Sequence, residues 1–122
     1  MQHAPGFLKL INEVRPSIRE VTLEEARQRL AANPKALLID IREDSEWAAG
    51  HAQQALHLGK GILERDIEAT VPDPATECIL YCGGGYRSAL AAEVAQRMGY
   101  KNVASLIGGY KALAAAGWPT TK

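Results

Sequence analysis

The segment Tyr81-Cys82-Gly83-Gly84-Gly85-Tyr86-Arg87-Ser88 sets one nucleophilic sulfur before three glycines, an arginine and a serine. Glycines let successive backbone N–H groups turn inward without Cβ clashes. The apolar run Cys78-Ile79-Leu80-Tyr81 predicts a short strand before the loop, and the pattern from Ser88 to Met98 predicts a helix after it. A helix start adds unpaired N–H groups and a partial positive charge. The expected object is a cradle of donors around Cys82, with at least one of Gly83, Gly84 and Gly85 at positive φ. Such a cradle favours the thiolate, the reactive form of a group whose ordinary pKa is about 8.5. The alternative is a buried structural thiol, but three glycines beside a core cysteine would only weaken its packing.

The second cysteine, Cys78, is expected to face the core. If residues 78–82 are extended, the two Cα atoms lie roughly 13 Å apart at about 3.3 Å per residue. A disulfide needs less than about 7 Å. His3, His51 and His57 form no H-x-x-x-H pattern and the cysteines no C-x-x-C, so a metal site is not expected.

These residues must be carried by a chain of 122 residues, 47% hydrophobic and 23% charged, the size and composition of one globular domain. Lys+Arg and Asp+Glu are 14 each. With no basic excess and no charge block, neither nucleic acid nor a membrane surface is an expected partner. The N-terminus lacks a basic start followed by an unbroken apolar run, so no signal peptide is visible and the expected compartment is the cytoplasm.

Along the chain, Phe7, Leu8, Leu10, Ile11 and Val14 after Pro5 predict a helix that ends at Pro16. Residues 1–16 read as a helical extension and 17–122 as the domain. The helix is expected to pack on its own domain rather than on a partner. Ile18 to Val21 reads as a strand, and Thr22 with Glu25 as a capping box opening a helix with Leu23, Ala26 and Leu30 inward. Ala36 to Asp40 reads as a strand buried on both faces. Ser45 to Ala49 reads as a short helix closed by Gly50, Ala52 to Leu58 as a less clear strand, and Ile62 to Thr70 as a helix with Ile62, Leu63 and Ile67 inward. After Cys82 come a helix with Ala89, Leu90, Val94 and Met98, a Gly99 cap, a strand Val103–Leu106 and a last helix Tyr110–Ala116. The alternation predicts an α/β fold: a largely parallel five-stranded sheet with helices on both faces. Ligands of such sheets bind beyond the carboxyl ends of the strands, where Asp40 and Cys82 both fall.

Five signatures, in this order, resemble the rhodanese family of single-domain sulfurtransferases. They are Leu38-Ile39-Asp40-Ile41-Arg42-Glu43; Glu46-Trp47 with Gly50-His51; the Cys82–Ser88 loop; Leu106-Ile107-Gly108-Gly109-Tyr110; and Gly117-Trp118-Pro119. The resemblance covers roughly Ile18 to Thr120. One departure is Ala52-Gln53-Gln54, where the family usually has an Ile-Pro-Gly turn.

The resemblance implies an enzyme that takes a sulfane sulfur from a small anionic donor such as thiosulfate, holds it as a persulfide on Cys82, and passes it to cyanide, a thiol or a protein acceptor, with no cofactor. It places Gly83, Gly84, Gly85, Tyr86, Arg87 and Ser88 around the sulfur. Arg87 can contact the substrate anion or turn back to Asp40 or Glu46 and brace the loop; bracing is preferred. Asp40 and Arg42 are expected to support the loop region through hydrogen bonds and ion pairs. Arg65 is a candidate guide for an anionic donor, or an ordinary residue of a solvated face. Trp47 is expected in the core, His57 as a satisfied edge-strand residue, and Gly108-Gly109 as a turn without chemistry.

Two other readings stand beside this one. The first is a non-enzymatic sulfur carrier or protein-interaction module using the same pocket. The second is a phosphatase or arsenate reductase on the same fold. Cysteine phosphatases resemble C-x5-R, whereas Cys82 to Arg87 is C-x4-R, a tighter ring that suits a single sulfur better than a tetrahedral anion.

Overall fold

The computed structural model describes residues 3–122. The chain opens with α1 (Pro5–Val14), whose first turn holds Pro5, where a missing N–H costs nothing. Ile11 and Val14 are buried, and α1 lies against the later helix that follows Cys82. The helix thus packs on its own domain. A 3-10 turn, Arg15–Ser17, leads into β1 (Arg19–Val21). The capping box then opens α2 (Leu23–Ala32): the Thr22 hydroxyl accepts from the Glu25 N–H, and the Glu25 carboxylate accepts from the Thr22 N–H.

β2 (Leu37–Asp40) and α3 (Asp44–Ala49) follow as expected, with Gly50 closing the helix. The single strand expected over 52–58 is two pieces, β3 (His51–Ala52) and β4 (Leu56–His57). Between them a turn closes through Ala55 N–H to the Ala52 carbonyl. No Pro or Gly is needed, because Tyr81 Oη accepts from the Ala52 N–H and the Pro119 carbonyl accepts from the Gln53 N–H. Ile62 is exposed, against expectation. It ends a 3-10 turn (Lys60–Ile62), and α4 (Leu63–Thr70) turns Leu63 and Ile67 inward instead.

β5 (Cys78–Tyr81) leads into the glycine loop and α5 (Arg87–Arg97). The fully buried face of α5 is Ser88, Ala89, Ala91, Ala92 and Ala95. Leu90 is only half-buried, and Val94 and Met98 pack at the margin of the core. Small side chains suit a helix squeezed between α1 and the sheet. β6 (Val103–Leu106) and α6 (Gly109–Ala115) complete the domain, and β7 (Thr120–Thr121) pairs antiparallel with β3.

The main sheet has five strands in the order β1-β6-β5-β2-β4, every pair parallel. Its residues alternate between two cores. Ile39, Cys78, Leu80 and Val103 meet α4 and α5 on one face; Leu38, Ile79, Tyr81 and Ala104 meet α2 and α6 on the other. Each fully buried Leu or Ile contributes about 1.5–3 kcal/mol. This double-sided burial fixes the carboxyl ends of β2 and β5 side by side, with Asp40 level with Tyr81. Among the described residues, no helix is long and apolar enough to cross a membrane.

Candidate active site

Cys82 follows directly on β5 and is 1% exposed. Its sulfur accepts from the backbone N–H of Gly85 at 3.1 Å and of Ser88 at 3.3 Å. Gly85 is the one loop glycine at positive φ, +98°. That left-handed turn aims its N–H back at the sulfur, and a Cβ there would stand 3.2 Å from both the Gly108 nitrogen and the Leu106 carbonyl oxygen. The second donor, Ser88, lies in the first turn of α5, where N–H groups lack intrahelical partners. The expected cradle is thus built of one glycine in a left-handed turn and one helix start.

Ser88 also contributes its hydroxyl, 3.5 Å from the sulfur and 2.7 Å from the hydroxyl of Ser105. Both serines are fully buried. Sequence reasoning missed Ser105. Its signal was a polar residue inside the apolar run Val103–Leu106, on the strand paired with β5.

Arg87 braces the loop. Its guanidinium donates to Glu46 at 2.7 and 3.0 Å, a two-pronged pair reaching from α5 to α3. The Arg87 hydrogen bond holds the Glu46 carboxyl below the usual glutamate range. Asp40 pairs instead with Arg42, whose Nη2 donates to Asp40 Oδ2 at 2.7 Å and to the Gly50 carbonyl at 2.6 Å. The Arg42 guanidinium also sits 4.2 Å from the Tyr110 ring centre. This pair ties the end of β2 to the end of α3 and to α6.

Gly108-Gly109 does more than make a turn. The N–H groups of Tyr110 and Lys111 donate to the carbonyls of Cys82 (2.7 Å) and Gly83 (3.1 Å), so the start of α6 holds the far side of the loop. A Cβ on Gly109 would press on the Cys82 carbonyl and stand 2.8 Å from the Gly83 carbonyl carbon. Trp47 is not core: it is half-buried, stacked between the rings of His51 (3.4 Å) and His57 (4.7 Å). His57 hydrogen-bonds the Arg42 carbonyl at 2.9 Å from the edge strand.

The loop opens on a cavity of about 920 Å³, which Cys82, Gly83, Gly84, Tyr86 and Arg87 line from one side. Arg65 is not part of its wall; the side chain is exposed and donates to its neighbour Asp66 at 2.7 and 2.9 Å. Two wall residues that sequence reasoning did not single out are His3 and Phe7, from the N-terminal segment and α1. Cys78 lies apart in the core, where burial pushes its thiol up to about 11.

A sequence profile of the rhodanese-like domain matches residues 22–116. The chain belongs to the rhodanese-like domain family. It is 30% identical over 86 residues to the Bacillus subtilis protein YtwF, itself a sulfurtransferase candidate, covering 70% of this chain and 82% of that one. A human single-domain sulfurtransferase superposes with a TM-score of 0.69 at 28% identity, over 79% of this chain and 95% of the other. A Rhodopseudomonas palustris protein of unknown function, named as a candidate tyrosine phosphatase, superposes with a TM-score of 0.83 at 31% identity, over 99% of this rhodanese-like chain and 98% of its own.

Proposed function

We propose that this rhodanese-like protein is a sulfurtransferase in which Cys82 carries the sulfur as a persulfide. The observation that carries the reading is the pair of backbone N–H groups on a buried sulfur facing a large cavity. In the first half-reaction the Cys82 thiolate attacks the outer sulfur of thiosulfate. The S–S bond of the donor breaks, sulfite leaves with the electron pair, and Cys82–S–S⁻ remains. In the second, an acceptor thiolate or cyanide attacks the outer sulfur and Cys82 departs as thiolate. Splitting one transfer into two steps is covalent catalysis. The Gly85 and Ser88 N–H groups face the charge that moves onto the sulfur atoms, the arrangement that stabilises developing anions. The Ser88 hydroxyl, which accepts from the Cys82 thiol at 3.5 Å, can turn its proton to the sulfur as a third donor once the thiol is ionised.

The phosphatase reading suggested by the Rhodopseudomonas neighbour finds less support. Arg87, the cation such a loop would turn to a phosphate, is spent on Glu46, and Gly83 and Gly84 are not at positive φ. The partners we propose are a small anionic sulfur donor and a thiol or protein acceptor. The reducing cytoplasm is the proposed compartment, where a free Cys82 thiol persists.

Steady-state assays with thiosulfate and cyanide, beside an aryl phosphate, test the proposal. Thiocyanate should form with the wild type, vanish in Cys82→Ser with folding intact, and exceed phosphate release by orders of magnitude. Undiminished turnover in Cys82→Ser, or dominant phosphatase activity, would sink it.

A further inference from the structure

Ser105 is a polar residue inside a buried parallel sheet, in register with Glu20 of β1 on one side and Leu80 of β5 on the other. Side chains alternate along β6. Ala104 and Leu106 belong to one core and Val103 to the other, so Ser105 shares the face of Val103, beneath α5. An apolar residue would fill that place without burying a hydroxyl, which is destabilising unless it is hydrogen-bonded. Among the described residues, the side-chain partner of the Ser105 hydroxyl is the Ser88 hydroxyl, at 2.7 Å. Both serines are 0% exposed, so neither can turn to solvent instead.

The direction of that bond bears on the sulfur. Ser88 Oγ stands between two groups: Ser105 Oγ at 2.7 Å and Cys82 Sγ at 3.5 Å. When the sulfur holds its proton, it donates to Ser88, and the Ser88 hydroxyl turns to Ser105. When the sulfur is ionised, the order reverses: Ser105 donates to Ser88, and the Ser88 proton points at the anion. Without Ser105, the Ser88 hydroxyl is free to turn back to a carbonyl of the preceding turn, a common alternative for serine in a helix. Its proton then leaves the sulfur. A donor chain in a low-dielectric interior also strengthens each of its members.

We infer that Ser105 is a positioning residue for Cys82. It holds the Ser88 hydroxyl in the orientation that donates to the anionic sulfur, and so raises the thiolate fraction at neutral pH. Both serine protons stay on their oxygens throughout; only their directions change. The part this plays in turnover rests on the sulfur-transfer reading above, whereas the donor chain itself needs only the thiol. The other ionisable groups around the cavity are Glu46, Arg87 and Lys111, with His3 and Tyr86, and none of them hydrogen-bonds either serine. They lie on an open cavity where added salt screens them, while the two serines are sealed beneath the loop.

The test is the rate of Cys82 alkylation by iodoacetamide against pH, read by peptide mapping, beside single-turnover loading from thiosulfate. Ser105→Ala should slow alkylation at pH 7 by about three- to tenfold, and loading by a similar factor. The alkylation deficit should close as pH rises and both proteins become fully ionised, and it should survive high salt. Ser105→Thr, which keeps the hydroxyl, should stay within about twofold of wild type. In a Ser88→Ala background, Ser105→Ala should change the alkylation rate less than about twofold, because Ser105 acts through Ser88. A deficit equal at every pH, one undiminished in the Ser88→Ala background, or one shared by Ser105→Thr would overturn the inference, since each marks a packing effect. Wild-type protein that fails to load from thiosulfate would overturn the sulfur-transfer reading instead, and the alkylation profiles would still decide the role of Ser105.

Discussion

The two cysteines of this chain show how little residue type alone decides. Cys78 and Cys82 are both buried, yet only Cys82 receives N–H groups. Burial, with the nearby Glu77 charge adding to it, raises Cys78 to about 11, so it should resist alkylation at pH 8 in the folded protein. Its neutral form is favoured by the fold. That contribution to stability is fully present below the ordinary thiol value of about 8.5 and is lost as pH rises toward about 11. Thermal unfolding of wild type and Cys78→Ala across that alkaline window should show the wild type alone losing this part of its stability. At Gly85 the expected effect is on rate. Gly85→Ala puts a side chain at φ +98° against backbone atoms, costing about 1–2 kcal/mol of left-handed strain. If it also displaces the N–H from the sulfur, loading should slow by about 10²-fold or more, as when one such donor is lost. Single-turnover loading and a melting curve separate the two effects; full-speed loading would mean that this N–H does not serve the sulfur. Ser88→Ala should cost about 1–3 kcal/mol by leaving the buried Ser105 hydroxyl unpaired. Ser88→Ala with Ser105→Ala should cost less than the sum of the single changes, which urea unfolding would reveal.

At the scale of elements, the loop is clamped from two sides. α3 holds it through Glu46 and Arg87, and the start of α6 holds it through the Cys82 and Gly83 carbonyls. The two clamps predict different behaviour. Both partners of the ion pair are about a third exposed, so its worth is on the order of 1 kcal/mol or less. Because the Glu46 carboxyl is lowered by Arg87, the pair is intact above the ordinary glutamate value of about 4.3 and is lost as pH falls through the lower folded value. Glu46→Gln should remove that acid-side part of the stability profile and slow sulfur loading modestly at neutral pH. The α6 clamp tolerates no side chain. Gly109→Ala should be far more damaging than Gly117→Ala, although both glycines have positive φ, because a Cβ at Gly117 meets nothing within 4 Å. Equal losses of activity in the two would mean that strain, rather than loop contact, dominates.

Over the whole molecule, the parts readable in the sequence were those written locally. The Thr22–Glu25 capping box, the buried strands ending at Asp40 and Tyr81, and the strand-loop-helix around Cys82 all follow from short-range pattern. What escaped was written between distant segments. β3 and β7 are two-residue strands with no periodicity, stabilised by each other across some seventy residues. Ile62 and Leu63 are adjacent and equally apolar, and only the 3-10 turn decides which one faces the core. Arg65 sits on a helix near the loop in sequence order but turns to Asp66. Phe7 read as part of an apolar helix face, and its place in the cavity wall depends on where α5 lets α1 lie. The catalytic claim concerns the whole chain and can be put to the intact molecule. Wild-type protein treated with donor, freed of excess and examined by intact-mass spectrometry with peptide mapping should gain the mass of one sulfur atom on the peptide holding Cys82, and cyanide should discharge it. No mass gain, a gain on Cys78, or the same gain in Cys82→Ser would contradict the account.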